Sequence, residues 1–212
     1  MLTALYLVLS VLFVLLVWQV TQINRNNYVL LLLLVLAGLF YDTFIIGIGK
    51  FIGEGNLLQT LNAGRFYIHA LLTPTMMIFG FGVLRKAGIK WAQSKTAHVI
   101  VCVVTTLLIL LGAFSDILQL DLHAKAVTDT LRYVNEGGMK GPPIPAILTI
   151  IFLIVAGISL WRNTGWKWLA IGGIIMFIAA GAGIGDMFYI GNIGEVILGF
   201  ANASTAKKFL SS

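Results

Sequence analysis

The stretch "RFYIHALLTPTMMIFGFGVLRK", Arg65 to Lys86, decides the fold. Its first part carries Arg65, His69 and Thr73 at four-residue spacing, which on a helix is one face. Its middle is apolar and lipid-soluble. Its end opens the basic loop "RKAGIKWAQSK", with Arg85, Lys86, Lys90 and Lys95. An apolar segment with a polar mouth and a basic foot is the signature of a membrane span whose foot lies in the cytoplasm.

The same pattern recurs along the chain. Of 212 residues, 59% are hydrophobic and 10% charged, against roughly 25% charged in soluble domains. Apolar runs of about 20 residues, the length needed to cross the hydrocarbon core, lie at 2–20, 28–48, 66–84, 97–115, 144–161 and 168–189. A seventh, 190–209, is weaker because it contains Asn192, Glu195 and Asn202; it is a short span covered by protein or a helix on the surface. The first run lacks a basic lead-in and a small-x-small cleavage site, so it reads as a retained helix. The expectation is one all-α domain over 1–212, a polytopic helical bundle in the cell membrane.

Placing "RKAGIKWAQSK" in the cytoplasm fixes the rest by alternation. With seven spans, nine bases fall inside: Arg25, Arg85, Lys86, Lys90, Lys95, Arg162, Lys167, Lys207 and Lys208. Five fall outside: Lys50, Arg65, Lys125, Arg132 and Lys140. Six spans would leave seven on each side. The bias therefore favours seven transmembrane helices, amino terminus out and carboxyl terminus cytoplasmic. All eight acidic residues then lie outside or in the outer half, so the outer side reads as the working side. The outer loop 116–143 shows helical spacing at Ile117, Leu118, Leu120, Leu122, Ala126, Val127 and Leu131, which predicts an amphipathic helix on the outer membrane surface. The loop 49–65 predicts a glycine-rich turn and one short helix.

A carboxylate at the centre of a span costs about 2.5–3.5 kcal/mol by insertion scales, less near an interface. Asp42, in "LFYDTFIIGIG", needs a partner, and Arg65 and His69 are the nearest candidates along the chain. Asp186, Glu195, Asp116 and His123 are further outer-side groups, the last two facing one way if the fourth helix continues. Ionisable groups within spans are functional candidates by default. Catalysis is expected from Asp42, His69 and Asp186, and substrate binding from Arg65, Glu195 and Asp116. His69 and His123 are the residues that would hold a divalent metal. The competing reading is an ion-paired cluster that only fixes helix packing.

Several functions are excluded. No basic face with interleaved aromatics speaks for nucleic acid. Cys102 stands alone, so neither a disulfide framework nor a cysteine metal site exists. There is no Gly-Lys-Ser/Thr phosphate loop, no His-Glu-x-x-His motif and no Gly-x-Ser-x-Gly elbow. What remains is an enzyme, of hydrolase type, acting on a lipid or other amphipathic small molecule at the outer leaflet by metal or acid–base chemistry. Membrane lipids would be its partners. Two alternatives use the same residues: a proton- or ion-coupled small-molecule transporter, and an accessory or sensory membrane subunit.

Overall fold

The computed structural model of the chain describes residues 1–138, 143–183 and 185–211. Lys140, used in the charge count, lies outside the described residues.

Helix α1 (Leu2–Thr21) and helix α2 (Asn27–Ile52) form an antiparallel pair. Asn26 caps α2, its Oδ1 accepting from the Tyr28 and Val29 N–H groups at 3.0 Å each, which satisfies two of the donors a helix start leaves open. Gly53, at φ 81°, ends it. Helix α3 (Asn56–Leu72) follows after a three-residue turn. Pro74 cannot donate a hydrogen bond, so Thr73–Thr75 tightens to a 3₁₀ turn before helix α4 (Met76–Lys86). Together Asn56–Lys86 make one 31-residue rod. Helix α5 (Lys95–Gly112) runs into a π turn at Ala113–Ile117. Helix α6 (Ile144–Thr164) opens with Pro145 in its first turn and closes on Gly165 at φ 76°. Helix α7 (Trp168–Ala182) has 15 residues, and helix α8 (Tyr189–Phe209) returns along it.

Among the described residues five helices are long and apolar enough to cross a membrane: Leu2–Thr21, Asn27–Ile52, Asn56–Lys86, Lys95–Ile117 and Ile144–Thr164. The shorter α7 is apolar throughout. The more polar α8 packs against α1, α2 and α7, burying Gly194, Val196, Gly199, Asn202, Ala203 and Ala206. Small residues set the closest approaches, as expected where lipid competes equally for apolar side chains. A Cβ on Gly157 of α6 would come within 2.3 Å of the Ala170 backbone nitrogen of α7.

Two sequence expectations fail here. The third helix begins at Asn56, not 66, so Arg65 and His69 lie well inside it. And the described residues of 116–143 form no amphipathic helix. Strands β1 (Leu122–Val127) and β2 (Thr130–Asn135) form an antiparallel hairpin, with Val127 opposite Thr130 and Leu122 opposite Asn135. Its turn is Thr128–Asp129, with Thr128 at φ 51°. The reason is tertiary. Tyr133 joins Ile45 of α2 and Leu58 of α3 in a small second core, with Leu122 and Leu131 against it. Asn135 Oδ1 accepts from the N–H groups of Asp121 and Gly137, closing the hairpin base. The apolar residues that suggested helical spacing are divided between two strands, and the helix continuation that would align Asp116 with His123 does not exist.

The hairpin docks through backbone. The Leu131 carbonyl oxygen lies where a Cβ on Gly49 would sit, 2.0 Å away. Gly49→Ala should therefore cost about 1–3 kcal/mol, the usual range for overpacking, and should speed tryptic cleavage at Lys125 and Arg132. Unchanged denaturant midpoint and unchanged cleavage would show that the hairpin is not held by this contact.

Candidate functional site

Asp42 lies ten residues before the end of α2 and Arg65 nine residues after the start of α3. At 1.5 Å per residue both are about 14 Å below the turn that joins the helices. They meet: Arg65 Nε donates to Asp42 Oδ1 at 2.7 Å, and both side chains are buried. Arg65 Nη1 donates to Asn62 Oδ1 at 2.7 Å. The same oxygen accepts the Tyr133 N–H of the hairpin at 3.1 Å, and Asn62 Nδ2 returns to the Leu58 carbonyl at 2.8 Å. The hairpin thus hydrogen-bonds directly to the residue that orients the guanidinium. Arg65 is consumed by these contacts and does not border the cavity described below.

The other Asp42 oxygen faces α8. Asn192 Nδ2 donates to Asp42 Oδ2 at 3.4 Å and, more tightly, to Glu195 Oε2 at 2.9 Å. Asn192 Oδ1 accepts the Tyr6 hydroxyl of α1 at 2.7 Å. Four helices therefore converge on one carboxylate. His69, one turn beyond Arg65, holds Nε2 3.7 Å from Asp42 Oδ1, near enough for charge attraction and too far for a hydrogen bond. Its Nδ1 lies 3.4 Å from Thr73 Oγ1. The imidazole remains a third exposed.

His69 borders a cavity of about 80 Å³ between α2, α3, α4, α6, α7 and α8, enough for several water molecules at roughly 10–15 Å³ each. Its polar points are His69, Thr73, Thr149, Glu195 and Asn202; leucine, isoleucine, valine and methionine side chains line most of the rest. Thr149 Oγ1 already donates to the Pro145 carbonyl. Glu195 to Asn202, and Leu32 to Leu39 opposite, each span about 10 Å along a helix. The cavity is accordingly an apolar slot with an ionisable upper end. Asp42 stands behind His69 and would stabilise an imidazolium.

The remaining expected site residues lie elsewhere. Asp186, expected beside Asp42, is largely exposed and pairs with Lys125 of the hairpin at 2.9 Å. It is brought to the hairpin and not to the cluster, because α7 ends at Ala182 and leaves Asp186 in the connection to α8. Asp116, in the π turn, accepts from the neighbouring Ser115 hydroxyl at 2.9 Å and does not border the cavity. His123 sits exposed 3.2 Å from Asp121, whose hydrogen bond and charge raise its pKa above the usual histidine value. His69 and His123 thus have separate partners. Among the described residues no three His, Cys, Asp or Glu side chains gather in a metal-binding group.

Sequence reasoning missed Tyr6 and Asn62, and took Asn192 and Asn202 only as polar neighbours of Glu195 in a weak span. Asn62 had a signal: it precedes Arg65 by three residues, one helical turn. Asn192 and Tyr6 meet across 186 positions of sequence separation, which no local pattern reveals. Above the cluster, Arg132 of the hairpin lies with Cζ 3.4 Å over the Phe188 ring, and burial pushes its guanidinium down to about 10. Compared with known protein families and with curated proteins, the chain matches none.

The buried pair can be tested as a unit. Asp42→Leu or Arg65→Met alone leaves one charge unpaired and should each cost about 3–5 kcal/mol, whereas the double variant should be more stable than either single one. Unfolding in mixed micelles measures all three. Losses that simply add would show the two side chains to be uncoupled.

Proposed function

We propose that the chain is a seven-span protein of the cell membrane that hydrolyses a lipid or other amphipathic molecule by acid–base chemistry, with the hairpin end facing out. The observation that carries this is a single imidazole backed by a carboxylate at the polar end of an otherwise apolar slot. The apolar walls suit an alkyl chain, and the end occupied by His69 and Glu195 suits the linkage to be cleaved. His69 takes a proton from an attacking water or hydroxyl and returns it to the leaving group. Asp42 favours the charged imidazole in between. Glu195, held by Asn192, orients the substrate's polar end. These two cavity groups give fewer donors than the three protein ligands of a catalytic zinc site, so the set supports proton transfer better than metal chemistry.

Transport fits less well. Beyond the cavity the core toward the far end of the bundle is closed by Leu16, Val20, Val29, Leu84, Leu160 and Leu169. Among the described residues the buried charged side chains are Asp42 and Arg65, both on the hairpin side. A path through the membrane would need ionisable or hydrated groups in that far half.

The orientation rests on charge. The nine bases counted inside all lie at or beyond the helix ends remote from the hairpin, and the positive-inside rule puts that end in the cytoplasm. A cysteine introduced by Ser211→Cys, with Cys102 replaced, should resist impermeant maleimides in intact cells; ready labelling would reverse the orientation.

Turnover has its own test. Proteoliposomes made with the lipid extract of the host membrane are followed by mass spectrometry. Wild type should deplete one lipid class and release its fragment, and His69→Gln should abolish this while inserting and folding normally. If no species changes with wild type, or if His69→Gln behaves like wild type, the cluster is structural.

A further inference from the structure

Lys125 and Arg132 stand directly opposite each other across the hairpin, so both side chains leave the same face, where like charges repel. Both reach the connection between α7 and α8. Lys125 Nζ meets Asp186 at 2.9 Å, and Arg132 lies over Phe188. Asp186 is taken by Lys125 and is 72% exposed. Among the described residues the Arg132 guanidinium has no hydrogen-bond or ion-pair partner; its Nε is sealed from solvent, whereas Nη1 and Nη2 keep accessible surface. With Cζ 3.4 Å from the ring centroid the guanidinium must lie flat on Phe188, because an edge-on approach would drive a nitrogen into the ring. Its N–H bonds therefore run parallel to the ring, which accepts none of them. Phe188 is itself held by stacking on Tyr6, with 5.8 Å between centroids. Burial, and then the charge of Arg65, push the Arg132 guanidinium down to about 10, which leaves it charged at neutral pH. One acid thus faces two bases, and one of those bases is a fixed fork with open donors.

We propose that Lys125 and Arg132 bind a phosphate group on this face of the hairpin, beside Phe188. Nη1 and Nη2 present their N–H groups side by side to two phosphate oxygens, and the ammonium takes a third as a point charge. A carboxylate spends both of its oxygens on the fork, whereas a phosphate keeps one for the lysine. The bound anion relieves the repulsion between the two opposed bases. The site is separate from the cavity, which neither base borders, and it does not draw on the hydrolase reading. The hairpin covers the helix ends, which in the proposed orientation is the level of the outer headgroups. The phosphate is therefore that of a lipid headgroup or a free phosphate arriving from solution.

The test uses the full chain, immobilised in a phosphate-free maltoside detergent, and saturable retention of radiolabelled dioctanoyl phosphatidate and inorganic phosphate. Dioctanoylglycerol and laurate are the uncharged and carboxylate controls. Phosphatidate should bind, and both controls should be about tenfold weaker or more. Inorganic phosphate that binds as tightly as phosphatidate identifies free phosphate as the ligand; phosphatidate that binds far more tightly identifies a headgroup. Arg132→Gln should weaken the phosphate probe about tenfold or more, as for loss of charge-assisted hydrogen bonds, and Arg132→Lys should recover only part of this because the fork is gone. Asp186→Asn should strengthen binding, since it frees Lys125 and removes the competing carboxylate. That gain keeps the test decisive if the Arg132 variants fail to fold. The proposal is overturned by no saturable binding of either phosphate probe, by controls that bind as well as phosphatidate, by a folded Arg132→Gln chain that binds as wild type, or by an Asp186→Asn chain that binds no better.

Discussion

A carboxylate and a guanidinium buried at equal depth in neighbouring helices constrain everything around them. The Asp42–Arg65 pair is buried, with under a tenth of either side chain exposed. Each must be matched fully, because a buried charge with a missing partner is strongly destabilising. Arg65 is completed by Asn62, Asn62 by the hairpin backbone, and the far oxygen of Asp42 by Asn192. The pair therefore fixes the lateral positions of α2 and α3, the docking of the hairpin, and the rotation of α8. The hydroxyl of Tyr6 extends this to α1.

The hairpin acts as a roof and as a tie. Its second strand fills the groove between α2 and α3 with Tyr133. Its turn accepts the Leu2 N–H through Asp129 Oδ1 at 2.7 Å. Lys125 and Arg132 reach the α7–α8 connection through Asp186 and Phe188. Elements from both ends of the sequence are thus held by one two-stranded unit. The acids concentrated at this end include several that serve this purpose, Asp129 and Asp186 among them, so their asymmetry reflects construction as well as chemistry.

The helical class was readable because each apolar run is long and nearly uninterrupted. The pairing of Asp42 with Arg65 was readable too, since intramembrane charge demands a partner close in the chain. Its depth was not, because Asn56–Gly64 is polar enough to pass for a loop, yet its face toward α2 and the hairpin keeps Leu58 and Asn62 buried. The hairpin was hidden for a related reason: the spacing of Leu122, Val127 and Leu131 fits a helix, and only the groove waiting for Tyr133 selects strands. Asp186 was misjudged because its neighbours are glycine-rich and apolar, which looks like a span interior but is a helix end. Asn202 reads in the sequence only as a polar residue in a weak span, and the cavity it borders shows only in the fold.

The contact between Asn192 and Asp42 joins residues 150 positions apart, and this sets an order on synthesis. Helices α2 and α3 are adjacent in the chain, so Asp42 and Arg65 can neutralise each other as a pair before entering lipid, which lowers the cost of inserting either helix. The second Asp42 oxygen must wait for α8, which is made after the other helices that surround it. Until then the half-satisfied carboxylate faces the gap that α8 will fill. At that stage the wall is unfinished, and its open oxygen is complementary in hydrogen bonding to the Asn192 amide of the helix still to come.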